Sequence, residues 1–223
     1  MTEKVITWSH SALKDYEGCA RRFHEVKVLN KYPFQDTQQT RYGKDLHTAA
    51  ELYVKDGTPL PEHFVFVKDV LDSLMAKPGR KYPEYEMALT TDLTPVAFSS
   101  EKRWVRGIAD LIIVNDDNFT AHVIDYKTGN NKYADPKQLR LMALMAYAHF
   151  PKVQRIKAGL LFILRNSFVN EEYTREDMDK LWADFMPNLT RLELSYKSNT
   201  WNPQPSGLCG WCPVDNCKFY KER

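Results

Sequence analysis

Two apolar runs joined by a short polar turn constrain this chain more than any other feature. They read W-V-R-G-I-A-D-L-I-I-V at 104–114, N-D-D-N at 115–118 and F-T-A-H-V-I-D-Y-K-T-G at 119–129. β-Branched and aromatic residues favour strands, and the Asn/Asp cluster favours a turn, so the segment predicts an antiparallel pair. The apolar residues are near-continuous rather than alternating, which predicts strands covered on both faces. Each run nevertheless carries a carboxylate, Asp110 in the first and Asp125 in the second. A carboxylate buried without a partner is costly enough that proteins rarely keep one.

Pairing across the turn sets Asp110 and Asp125 at similar heights, and the period of two puts Asp125 and Lys127 on the same face of their strand. Two carboxylates can hold a hard divalent cation with open water positions. The amine can orient or deprotonate an attacking water and offset charge on a phosphate. Asp110, Asp125 and Lys127 therefore point to phosphodiester hydrolysis. The plainer alternative is an Asp125–Lys127 ion pair at a strand end, with Asp110 answering an arginine in the core.

The remaining elements surround this pair. Ser9 or Ser11 caps a helix expected to reach about Val28, and a second helix runs from Tyr42 to Val54 before Asp56-Gly57. Phe64, Val67, Leu71 and Leu74 mark a third helix to Met75, ended by Lys77-Pro78-Gly79. Strands are expected over Tyr85–Thr91, Lys102–Val114, Phe119–Tyr126 and, as a short buried run, Ala158–Leu164. Asp135-Pro136 opens a helix to about Phe150, and Thr174–Leu194 reads as one long helix bent near Pro187. The order predicts one α/β or α+β domain over 1–223 around a mixed sheet: a helical part at 9–76, a core at 84–165 and a C-terminal helix and cysteine tail at 174–223.

Net charge is only +2, so overall balance points to no nucleic-acid partner, and local groups such as Arg21, Arg22 and Lys27, or Lys132, Lys137 and Arg140, would have to supply attraction to phosphate. No signal-like apolar start and no run of 18 apolar residues is present, and the expectation is a soluble cytoplasmic protein without membrane contact. No G-x-x-x-x-G-K-[ST] or G-x-S-x-G occurs, which counts against a built-in P-loop motor and an acyl-transfer hydrolase.

The motifs G-I-A-D at 107–110, V-I-D-Y-K-T-G at 123–129 and Y-G-K-D-L-H at 42–47 resemble the RecB-like branch of the PD-(D/E)XK nuclease superfamily. The resemblance spans about Ser9 to Cys217 and implies a restriction-endonuclease-like α/β core, a central mixed sheet flanked by helices. It implies that His47 joins Asp110 and Asp125 at a divalent ion, and that Glu86, or Glu84, adds a further carboxylate. Gln138 in D-P-K-Q-L resembles the branch's Q-L helix motif, but Met142 stands where that motif carries a tyrosine. Manganese or magnesium is the implied ion, with the histidine favouring manganese. The implied substrate is DNA, single-stranded or with free ends, cut by an exonuclease that can also serve as a subunit beside a helicase or recombination partner. The alternative from another class is a non-catalytic DNA-binding module.

Cys209, Cys212 and Cys217 form a compact C-x2-C-x4-C spacing one ligand short, and Cys19 can complete it. E-G-C-A-R-R-F and C-G-W-C-P-V-D-N-C resemble the segments that hold a [4Fe-4S] cluster in AddB-type and CRISPR-associated exonucleases. Ala20 and the shortened last gap depart from that pattern, and zinc, which also accepts four thiolates, is the alternative.

Overall fold

The computed structural model describes residues 6–130, 134–165 and 167–221. In chain order the elements are α1 (His10–Gly18), α2 (Ala20–Phe23), α3 (Gln38–Asp56), α4 (Lys68–Met75), β1 (Arg80–Leu89), β2 (Val105–Asn115), β3 (Thr120–Lys127), α5 (Pro136–His149), β4 (Arg155–Phe162), β5 (Ser167–Thr174), α6 (Met178–Ala183) and α7 (Met186–Ser198). They divide into two compact units, one built on Asp36–Trp182 and the other on Trp8–Gln35 and Ala183–Arg223.

The first unit is an α/β fold whose central sheet has the order β1-β2-β3-β4-β5. The β3–β4 pair is parallel and the other three pairs are antiparallel. The turn after β2 forms as the Asn/Asp cluster predicts: Asn115 Oδ1 accepts from Asp117 N and Asn118 Oδ1 from Thr120 N, setting Asn115 opposite Thr120. Leu111, Ile113, Ile124, Tyr126 and Leu161 project from one face into a core shared with Leu46, Ala50 and Val54 of α3 and Leu71 and Leu74 of α4. Helix α5 packs against the strands from the opposite face and is buried along most of its length. Helix α3 opens with a Thr37–Thr40 capping box and closes at Gly57, whose φ of 70° suits a residue without a Cβ.

Gly79 leads into β1 with φ 118°, and an added Cβ would lie 2.4 Å from the Val114 carbonyl oxygen. Both the conformation and the contact exclude a side chain, and neither obstacle is a side chain that could swing away. Gly79→Ala should therefore destabilise the protein by about 2 kcal/mol or more, read as a lowered denaturant midpoint with an unchanged slope.

Several boundaries differ from the sequence expectation. The first helix is interrupted at Cys19, which is extended (φ −170°, ψ 110°) and uses its Sγ to cap α2 by accepting from Arg22 N at 3.5 Å. A single π-helical turn, His24–Val28, follows. The long helix expected over Thr174–Leu194 is instead the end of β5, then α6 and α7. Pro187 has no N–H to donate to the preceding turn, so it stands in the first turn of α7 rather than bending a continuous helix. Strand β5 was not anticipated, since its sequence, S-F-V-N-E-E-Y-T, is a polar edge strand without a continuous apolar run.

In the second unit, α1 and α2 share a core with α7. Tyr16 donates to the Arg191 carbonyl at 2.8 Å, and Trp201 is bordered by the rings of Tyr16, Phe23, His24 and Tyr196. Among the described residues no helix is long and apolar enough to cross a membrane.

Candidate metal and catalytic centre

The site lies where the β1–β2–β3 ladders part. The β2–β3 register runs from Asn115↔Thr120 to Leu111↔Ile124, so the next pair would be Asp110 and Asp125. No ladder pair is made there. Asp110 instead turns its Oδ2 onto the amide of Tyr126, which donates to it. On the other side the β1–β2 register passes from Pro83↔Leu111 to Tyr85↔Ala109 and omits Glu84 and Asp110. Glu84 has φ 43°, a conformation that costs a non-glycine residue on the order of 1–3 kcal/mol and that is found where function retains it.

The omission brings three elements together. Ligand atoms of His47 from α3, Glu84 from β1 and Asp110 from β2 all lie within 4.8 Å of one another. His47 Nδ1 is 3.1 Å from Asp110 Oδ1. One turn before His47, α3 runs close to the end of β3: a Cβ added at Gly43 would stand 3.4 Å from Thr128 Oγ1. Asp125 stands beside this group with a separate set of partners. Its Oδ1 accepts from Gln138 Nε2 of α5 at 2.6 Å, and its Oδ2 is 2.5 Å from Lys127 Nζ. That second contact is an ion pair without hydrogen-bond direction, so Oδ2 is a buried oxygen with no hydrogen-bond partner among the described residues.

Electrostatics ties the two sets into one centre. Burial, reinforced by the Asp110 charge and partly offset by Lys127 and His47, pushes the Asp125 carboxyl up to about 6. Burial and Asp110 push Glu84 up to about 7. Burial alone would lower the His47 imidazole, but the Asp110 hydrogen bond and the charges of Asp110, Asp125 and Glu84 outweigh it and raise the group. Buried acids with raised pKa values beside one another mark this as a candidate functional centre. A histidine nitrogen and the converging carboxylate oxygens of Glu84 and Asp110, with the Asp125 carboxylate beside them, are a donor set that suits a divalent cation of the manganese or magnesium type.

Of the residues singled out in the sequence, His47, Asp110, Asp125, Lys127 and Gln138 converge here. Glu86 does not: it is exposed, paired in register with Ile108, and outside the cluster that Glu84 enters. The left-handed backbone at Glu84 is what turns that side chain inward, and no strand periodicity signals it. If Glu84 is the acid of the site, Glu84→Gln should weaken Mn2+ binding by about 10- to 100-fold, whereas Glu86→Gln should leave it unchanged, both read by calorimetric titration. Tyr147, out of phase with Gln138 on α5, is fully buried and donates to the Tyr173 carbonyl at 2.8 Å. Basic groups are largely paired: Arg22 and Lys27 with Asp15 at 3.1 and 3.6 Å, and Arg140 with Glu171 at 3.4 Å. Lys132 lies outside the described residues.

The family model of the PD-(D/E)XK nuclease superfamily matches residues 7–217. The chain belongs to that superfamily. Its five-stranded mixed sheet flanked by helices agrees with the restriction-endonuclease-like fold, and an unanticipated β5 completes the sheet without altering its class. A candidate exonuclease from Eubacterium rectale shares the fold with a TM-score of 0.57 at 11% identity, over 96% of this chain and 89% of that one. The protein SSO0001 aligns over 100% of this chain and 90% of its own at 16% identity and a TM-score of 0.49. No curated protein sequence matches the chain at a significant level.

In the second unit, Cys19, Cys209, Cys212 and Cys217 are unbridged and all line one recess together with Arg21, Arg22, Pro203 and Val214. Their sulfurs are not drawn into a tight group: no three of them close to within 4.8 Å. Two sulfurs accept backbone hydrogen bonds, Cys19 from Gln204 N at 3.4 Å and Cys209 from Ser206 N at 3.3 Å.

Proposed function

We propose that this member of the nuclease superfamily is a metal-dependent deoxyribonuclease of the RecB-like branch, acting as an exonuclease on single-stranded ends. The observation that carries the reading is the convergence of His47, Glu84 and Asp110, with Asp125 and its ion-pair partner Lys127 beside them on the neighbouring strand. His47, Glu84, Asp110 and Asp125 would hold Mn2+ or Mg2+, and the ion would polarise the scissile phosphate and lower the pKa of a bound water. Gln138 fixes one oxygen of Asp125, and Lys127 pairs with the other. Lys127, about one-third exposed, places an ammonium where it can orient a nucleophilic water and offset charge on the phosphate. Met142 supplies no phosphate contact from α5, so the grip on the backbone falls to Lys127 and to groups outside that helix.

The same reading assigns a [4Fe-4S] cluster to the four cysteines. The four thiols that line one recess are the residues that would hold it, with zinc, which also accepts four thiolates, as the alternative. A helicase or recombination subunit remains the natural companion of such a nuclease.

The test is incubation of end-labelled single-stranded and duplex DNA with Mn2+ or Mg2+, comparing the wild type with Asp125→Ala and Lys127→Ala. Metal-dependent shortening by the wild type alone is expected, faster on single strands. Binding in all three proteins with cleavage in none would replace the enzyme with a DNA-binding module.

A further inference from the structure

Tyr126 lies between Asp125 and Lys127, and strand alternation sends its side chain to the opposite face, into the core beneath α3 with Leu46 and Ala50. It touches the metal cluster twice. Its amide donates to Asp110, and its ring meets His47 edge-on with centroids 5.9 Å apart. The residue is only 2% exposed, and its hydroxyl oxygen has no hydrogen-bond partner among the described residues.

That hydroxyl is out of character for this chain. Tyr147 donates to the Tyr173 carbonyl, Tyr16 to the Arg191 carbonyl and Tyr53 to the Asp72 carboxylate. A buried hydroxyl left unpaired costs about 1–3 kcal/mol, and phenylalanine would fill the same space without that cost. A phenol hydroxyl can donate as well as accept a hydrogen bond. The ring's contact with His47 sets Tyr126 beside the cation site formed by His47, Glu84 and Asp110.

We propose that Tyr126 is a positioning residue for the divalent ion, its hydroxyl donating to an oxygen of the ion's coordination shell when the site is loaded. The inference rests on the reading of the cluster as a metal site and adds a group that makes binding stronger while making the empty site less stable. The Tyr126 ring at the same time limits how His47 can turn, since it packs against the imidazole edge.

The experiment compares wild type, Tyr126→Phe and, as a control, Tyr147→Phe, each as the full chain, by denaturation without added divalent ion and by calorimetric titration with Mn2+. Tyr126→Phe should be at least as stable as the wild type in metal-free buffer yet bind Mn2+ about tenfold more weakly. Tyr147→Phe, which loses a satisfied hydrogen bond, should show the reverse: lower stability and unchanged Mn2+ affinity. Wild-type affinity in Tyr126→Phe, or a loss of its metal-free stability, would overturn the inference while leaving the metal site standing. Failure of the wild type itself to bind Mn2+ would overturn the metal-site reading and this inference together.

Discussion

Asp125→Asn is expected to lose cleavage by a factor on the order of 10³ or more, while unfolding within about 1 kcal/mol of the wild type. The two halves of this result have one cause. Asp125 is 6% exposed and stands beside the Asp110 carboxylate, so its charge is held against burial and repulsion in the metal-free protein. Removing that charge relieves both penalties. What it takes from the fold is the ion pair with Lys127, whose side chain is one-third exposed and can turn to water, and such partly solvated pairs contribute little. The amide can still accept from Gln138. What it takes from the site is a proposed ligand and the ion-pair partner of the proposed catalytic amine. Lys127→Met should separate these roles, leaving Mn2+ affinity within about threefold while lowering kcat by a similar order to Asp125→Asn. Cleavage rates under saturating Mn2+ and calorimetric Mn2+ affinities together decide it. An Asp125→Asn protein that cuts DNA at the wild-type rate would remove Asp125 from the chemistry.

The second large effect concerns stability. Cys19→Ala should strip the proposed cluster, bleach the broad visible absorption of anaerobically purified protein and lower the melting temperature by up to roughly 10–20 °C. The reasoning is topological. Cys19 lies near one end of the sequence and Cys209, Cys212 and Cys217 near the other, so a shared metal group closes a loop of roughly 190 residues. The chain-entropy model developed for disulfides places such a constraint at about 5 kcal/mol, an upper bound if the unfolded chain also binds metal. In a protein of this size each kcal/mol moves the midpoint by about 2–4 °C. Iron, sulfide and zinc analyses of the wild type identify the group. Colourless protein with stoichiometric zinc would replace the cluster but keep the clip, and an unchanged melting temperature in Cys19→Ala would remove the clip as well.

How much of this could be read from residues alone depends on the range of the forces involved. The β2–β3 hairpin was legible because its signals are local: near-continuous apolar runs, an Asn/Asp turn and a period of two that places Asp125 and Lys127 on one face. The helix from Pro136 was legible for the same reason, its Asp135 cap and first-turn proline being adjacent in sequence. The interruption at Cys19 was not, because a cysteine capping a helix through its sulfur has no compositional signal. Nor was β5, whose polar edge resembles a loop or helix start until β4 is present to pair with it. The choice between Glu84 and Glu86 turned on one left-handed residue, and regular strand alternation puts both acids on the same face.

Sequence by itself determined the chemistry available: which carboxylates are trapped in apolar strands and which amine shares a face with one of them. Tertiary structure decided which of those groups meet. The ladders part at Asp110, α3 brings His47 to the gap, and a strained backbone turns Glu84 inward while leaving Glu86 in solvent. The physical reason is that residue identity and short-period patterning act over a few positions. The convergence of α3, β1, β2, β3 and α5 on one point is set by the packing of segments far apart in the chain.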